Sequence, residues 1–187
     1  MQNIYSSQVI EFLTVAAEYC ATVEQCRQQD KKHLVSTITK LLPLIYVKAT
    51  LLPAMEEEDA DMMLPEVVGE EDYNFVRQSV WSVLGEDDDY LEVFSQDMQF
   101  SEAAVTASIS EDLSDIYQDL KNFCAIYADR NEACMESAIA RVQENFRQYW
   151  GKKLVNAMRP LHQLMVSCLD AEPGMEENGT GSDETEY

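Results

Sequence analysis

The sequence predicts an all-α fold, a single-domain bundle of five or six helices, and three observations carry that prediction. Apolar residues recur at helical spacing in a series of separate stretches, and no window alternates polar and apolar residues over the length of a strand. An apolar share of 46% in 187 residues suits one core of ordinary size, buried without disulfides or metals. No repeat at a fixed period is present. Residues 1–169 are read as the bundle. Residues 170–187 are read as an acidic tail with too little apolar surface to offset ordering entropy, so disorder is expected there.

The first helix opens at a cap on Ser6 or Ser7 and runs to about Gln28, with Val9, Phe12, Leu13, Ala16, Cys20 and Val23 on one face. The second begins after Asp30. Its stripe Leu34, Ile38, Leu41, Ile45, Ala49 and Leu52 keeps register across Pro43, which favours a kink over a stop, and Pro53 ends the run. A third, shorter helix carries Tyr73, Val76, Val80, Val83 and Leu84, with Trp81 beside the stripe, and closes at Gly85. The fourth opens at a capping-box match, Ser108 to Glu111, and aligns Leu113, Ile116, Tyr117, Leu120, Phe123, Cys124 and Tyr127. A fifth pattern runs from Met135 to Trp150 and a sixth from Leu154 to Cys168, with Gly151 between them. One rod from Glu132 to Leu169 would measure about 57 Å at the helical rise, against ~40 Å across a compact domain of this size. On a wheel the apolar centre also moves by roughly 80° across Gly151. A break or sharp bend is expected there.

Charge is unevenly distributed. Lys and Arg number 13 against 35 Asp and Glu, a formal net charge of −22. The stretch 54–72 holds nine acids and no base, 85–102 holds seven acids and no base, and the tail adds seven more acids. The periodic part of the chain is thus close to neutral, and the excess lies in two connections and the tail. Both connections also hold apolar groups, which predicts that they pack over the domain. A field of this sign repels phosphate backbones and anionic lipid, which argues against direct nucleic-acid or membrane binding. No membrane span is visible, and MQNIYSSQVIEF is not a secretion leader, so a cytoplasmic location is expected. Cys20, Cys26, Cys124, Cys134 and Cys168 read as reduced, mostly core-lining thiols.

The most specific local feature is SISEDLSDIYQDL, where Asp112, Asp115 and Asp119 fall along one side of the fourth helix. Such a row repels itself unless a cation, an arginine or a proton intervenes, so it is a candidate site for a divalent cation, with Tyr117 and His162 as supporting groups. The plainer reading is a solvated acidic face near a helix N-terminus, where the macrodipole already favours negative charge. Arg141, Arg147, Lys152, Lys153 and Arg159 cluster on the last two helices and are placed to pair with acidic neighbours, the Asp stripe included. Neither histidine has Glu three places before it, which removes a carboxylate-bridged di-iron bundle, and no P-loop, EF-hand loop, G-x-S-x-G or HExxH is present.

The SISEDLSDIYQDL run, followed by ENFRQYWGKKLVNAMRPLH, resembles an uncharacterised family of small bacterial all-helical proteins, a domain of unknown function. The resemblance rests chiefly on Asp112, Leu113, Asp115, Ile116, Tyr117, Asp119, Leu120, Trp150, Gly151, Ala157, Arg159, Leu161 and His162. The family's Trp-Gly pair is often flanked by histidines, whereas Tyr149 and Lys153 stand at those flanks here. The resemblance implies a helical fold and no particular reaction. Two functional readings follow from the residues. One is an interaction or adaptor module that meets a basic protein partner. The other is a divalent-metal hydrolase or ligand-binding bundle built on the Asp stripe. Oligomeric state is left open.

Overall fold

The computed structural model describes residues 4–55, 63–92 and 105–170. The predicted acidic tail beyond Asp170, together with parts of both acidic connections, lies outside those residues.

Helix α1 spans Ser7–Glu24, and the Ser6 hydroxyl accepts from the Val9 N–H to cap it. A 3-10 turn, Cys26–Gln28, reverses the chain into α2, Lys31–Thr50, where the Asp30 carboxylate accepts the His33 N–H at 2.8 Å. At the open end of this hairpin Lys48 Nζ reaches Glu11 at 2.5 Å. Pro43 stays inside α2, as the unbroken stripe predicts. It lies on the exposed side of the helix, away from the core.

The connection to α3 packs as expected where it is described. Leu64 and Val68 are buried, and Asn122 Oδ1 accepts the N–H groups of Val67 and Val68 at 2.8 and 3.1 Å. Helix α3 spans Glu70–Leu84, with Glu70, Glu71 and Asp72 at its positive end, and it closes at Gly85, whose φ of +62° favours glycine.

The all-α class holds, with one small addition in the connection between α3 and α4. Strand β1, Asp89–Glu92, pairs antiparallel with β2, Val105–Ser108, in the register Asp89 to Ser108 and Glu92 to Val105. Four residues per strand is too short for alternation to show in sequence, and the pairing partner lies across a long connection. The ribbon also alters the cap of α4, Ile109–Ala128. Ser108 belongs to β2 and its hydroxyl caps nothing, so the predicted capping box does not form. Instead buried Asp88, in the 3-10 turn before β1, accepts both the backbone N–H and the hydroxyl of Ser110 at 2.7 Å each. A full carboxylate makes stronger hydrogen bonds to the helix start than a serine hydroxyl can.

Helix α4 is the axis of the bundle, packed against α1, α3, α5 and α6, while α2 packs on α1 and α6. It buries Ile109, Leu113, Ile116, Leu120, Phe123 and Ile126.

Gly151 does not break the chain. Helix α5, Glu132–Asn145, passes into α6, Gly151–Asp170, through one π-helical turn, Phe146–Trp150. A π turn inserts one residue into the α repeat and so rotates everything after it back by about 100°. That rotation cancels the roughly 80° drift on the straight wheel. Met135, Ile139 and Val142 therefore face the same core as Leu154, Ala157 and Leu161. The length argument fails because the rod outruns the core: from His162 to Cys168 no residue is buried. The turn is packed tightly. Trp150 is fully buried, its indole N–H donates to the Val142 carbonyl at 3.2 Å, and its ring lies 4.7 Å from that of Phe146.

A Cβ on Gly151 would sit 2.3 Å from the Phe146 carbonyl oxygen and 2.8 Å from its ring. Gly151→Ala should therefore cost about 1–3 kcal/mol through forced repacking, read as a lower urea midpoint with helical content retained. An unchanged midpoint would mean that the turn is not closed over the glycine.

Candidate functional site

The Asp stripe was the sequence's candidate, and the fold divides it in two. Asp112 and Asp115 close around the ammonium of Lys153, one turn beyond the π turn on α6, with Nζ at 3.1 Å from Asp112 Oδ1 and 3.2 Å from Asp115 Oδ2. Asp112 is only 2% exposed. Its second oxygen accepts the hydroxyl of Tyr90 from β1, and Asp115 accepts that of Tyr73 from α3 at 2.9 Å. The ring of Tyr149, in the π turn, lies 5.9 Å from the ammonium. Five elements meet in this polar knot.

The electrostatics follow from enclosure. Burial pushes the Asp112 carboxyl above the usual carboxylate range, against the pull of Tyr90 and Lys153. Burial drags the Lys153 ammonium down, but Asp112 and Asp115 outweigh it and hold its pKa above an ordinary lysine. Burial and then the Asp115 carboxylate push the Tyr149 phenol up to about 12, and the Tyr73 and Tyr90 phenols rise as well. All three phenols are thus protonated donors at neutral pH.

Asp119 is separate. It lines a cleft of about 370 Å³ between α4, α5 and residues 64–66, where Asn145 donates to its Oδ1 at 2.5 Å. Burial raises its pKa, against the Asn145 hydrogen bond and the positive field of Arg141. Arg141 also lines this cleft and lies 3.6 Å from Glu66.

The two supporting residues lie elsewhere. Tyr117 turns toward α1 and donates to Glu24 at 2.8 Å, where Lys121 also pairs at 2.6 Å. His162 is exposed on α6. The place between Asp112 and Asp115 where a cation would sit is filled by Lys153, and among the described residues no group of three or more His, Cys, Asp or Glu is arranged to hold a metal ion.

Of the basic cluster, Lys153 meets the stripe as expected, while Arg147 pairs with Glu144 and Lys152 with Glu92. Sequence reasoning missed Tyr73, Tyr90 and Asn145 as partners of the stripe. Each comes from a different element, and no local spacing could have joined them. Tyr149 and Lys153 were visible as the residues flanking the Trp-Gly pair.

Comparisons with known proteins agree with this fold. A family model described as "Domain of unknown function (DUF5063)" matches residues 3–167. The chain is similar to a structural-genomics target from Bacteroides fragilis solved by crystallography, at 42% identity and a TM-score of 0.78, covering 87% of this chain and 95% of that one. No curated protein matches.

The raised pKa of Asp112 means that the fold opposes its ionised form. Its contribution to stability is fully present below the ordinary carboxylate pKa of about 4 and is lost as pH rises through the higher folded value. Lys153 works in the opposite range: its contribution is fully present below about pH 10 and is lost as pH rises through its elevated value. Lys153→Met leaves Asp112 buried without a counter-charge. Its cost at neutral pH should fall below the ~3–5 kcal/mol of a fully enclosed pair, because Lys153 is partly exposed. The deficit should shrink as pH falls into the carboxylate range, and Asp112→Asn should cost less than Lys153→Met. Urea melts across pH check this. Equal deficits at every pH would contradict the paired arrangement.

Proposed function

The chain belongs to this family of proteins, whose description assigns no reaction, and we propose that it works as a helical interaction module whose anionic surface meets a basic protein partner. One observation carries the reading: the fold sets eight of its 13 bases beside its own carboxylates, some at short range and Arg141 only loosely, while Lys40, Arg130 and Arg159 remain exposed. Lys31, Lys48, Arg77, Lys121, Arg141, Arg147, Lys152 and Lys153 all pair with carboxylates of the same chain, and Arg27 lies over the Phe75 ring. Exposed Glu70, Glu71, Glu86 and Asp89 stay turned to solvent, and the sequence adds further acids on both sides of them. A surface of one dominant sign steers a partner of the opposite sign and repels nucleic acid.

This reading places the protein in the cytoplasm. Its cysteines are free thiols, which suits a reducing compartment, and no described helix is long and apolar enough to cross a membrane.

Affinity capture with the full chain tests the proposal. A basic protein should be retained at ~0.05 M salt and released at ~0.5 M, where screening shortens the reach of surface charge. The same protein should be lost from a Glu70→Gln, Glu71→Gln, Glu86→Gln, Asp89→Asn variant. Retention that ignores both salt and the variant would overturn the reading.

A further inference from the structure

We infer that the cleft between α4, α5 and residues 64–66 binds a small zwitterion of the amino-acid class, its ammonium on Asp119 and its carboxylate on Arg141 and Asn122. The site is independent of the anionic outer surface. Its floor is apolar, supplied by Leu64, Phe123, Ile126 and Val142, all of them buried. Its rim is polar and of mixed sign.

Three rim groups keep capacity for a ligand. Asp119 Oδ1 accepts from Asn145 at 2.5 Å, and its other oxygen has no hydrogen-bond partner among the described residues. Asn122 uses its carbonyl oxygen to accept from Val67 and Val68, which fixes the amide and leaves its NH₂ as a donor without a partner among those residues. Arg141 lies 3.6 Å from Glu66, too far for a good hydrogen bond, and its side chain is 44% exposed, so most of its donors remain available. Of the two carboxylates that line the cleft, Glu66 is 67% exposed and already lies beside Arg141, so Asp119 is the acceptor left for an ammonium; with the Asn122 amide and Arg141 as donors it forms the complement of an ammonium and a carboxylate carried on one small molecule.

Other ligand classes fit less well. A bare cation would meet Asp119 and Glu66, but also the Arg141 guanidinium beside Glu66 and the Asn145 amide that already occupies Asp119 Oδ1. A simple anion would face Asp119. A neutral apolar molecule would desolvate both charges without replacing their hydration. The volume of about 370 Å³ is at the small end for ligand sites and suits a single amino acid with its side chain on the apolar floor.

The test uses the full chain and the free proteinogenic amino acids, added one at a time at millimolar concentration in thermal melts. Saturable binders are then titrated by calorimetry, with their N-acetyl and carboxamide derivatives alongside. At least one free amino acid should raise the melting midpoint, and blocking either end should weaken binding about tenfold or more. Asp119→Asn should erase the preference for the free amine over the N-acetyl form. Arg141→Gln should erase the preference for the carboxylate over the amide. Both variants should melt as wild type without ligand, because asparagine can still accept from Asn145 and Arg141 is a surface residue. Amide shifts in NMR confined to Asn122, Ala138 and Asn145 would place the ligand in the cleft. The inference is overturned if no amino acid moves the midpoint, if blocked and free forms bind alike, or if both variants keep wild-type selectivity.

Discussion

A single additional residue in the helical turn 146–150 sets the arrangement of everything C-terminal to it. Were the same residues wound as a straight α-helix instead, Leu154, Ala157 and Leu161 would turn away from the core by about a quarter of a revolution. Such turns cost hydrogen-bond quality and persist where packing over-determines them. Here Trp150 fills the interior, Phe146 lies across it, and Gly151 leaves room for the Phe146 carbonyl. The same rotation brings Lys153 to the edge of the core stripe, facing α4.

The polar knot follows from that placement. An enclosed ion pair adds little net stability, since desolvation cancels much of the attraction, but separating its members is costly. Asp112, 2% exposed, has Lys153 and Tyr90 as its partners, so any packing of α6 or the β ribbon that lost either one would strand a buried carboxylate. The knot therefore fixes how the ribbon, α3 and α6 dock on α4. Asp88 plays a similar part at the start of α4, tying the turn before the ribbon to the Ser110 backbone.

The helices were legible because each carries a continuous apolar stripe with a breaker or cap near its ends, and even Pro43 could be read through its unbroken register. Three features were not legible, two because they depend on a partner distant in sequence and the third because a local turn shifts the helical wheel. The ribbon pairs strands too short to alternate, the cap of α4 comes from Asp88 rather than from its own first turn, and the continuity at Gly151 depends on a turn whose ideal-wheel signature imitates a break. The Asp stripe was correctly placed on one face of α4. Its division was invisible, because Lys153 claims two of its members and Asn145 the third. Tyr117, on nearly the opposite side of α4, turns to Glu24 instead.

This economy of charge separates interior from surface. Lys153 is drawn into an enclosed pair with Asp112, the other paired bases lie at the surface, and the docking of α6 begins with the register set between α5 and α6. Deleting the exposed residue Gln148 tests that register most directly, because it converts the π turn to an α turn that keeps Leu154, Ala157 and Leu161 facing the core while removing no core side chain. The deletion should keep cooperative urea unfolding and the near-ultraviolet circular dichroism of buried Trp150, whereas inserting one alanine after Gln148, which turns α6 by about 100°, should abolish both. A deletion variant that no longer unfolds cooperatively, or an insertion variant that unfolds at the wild-type midpoint, would contradict this.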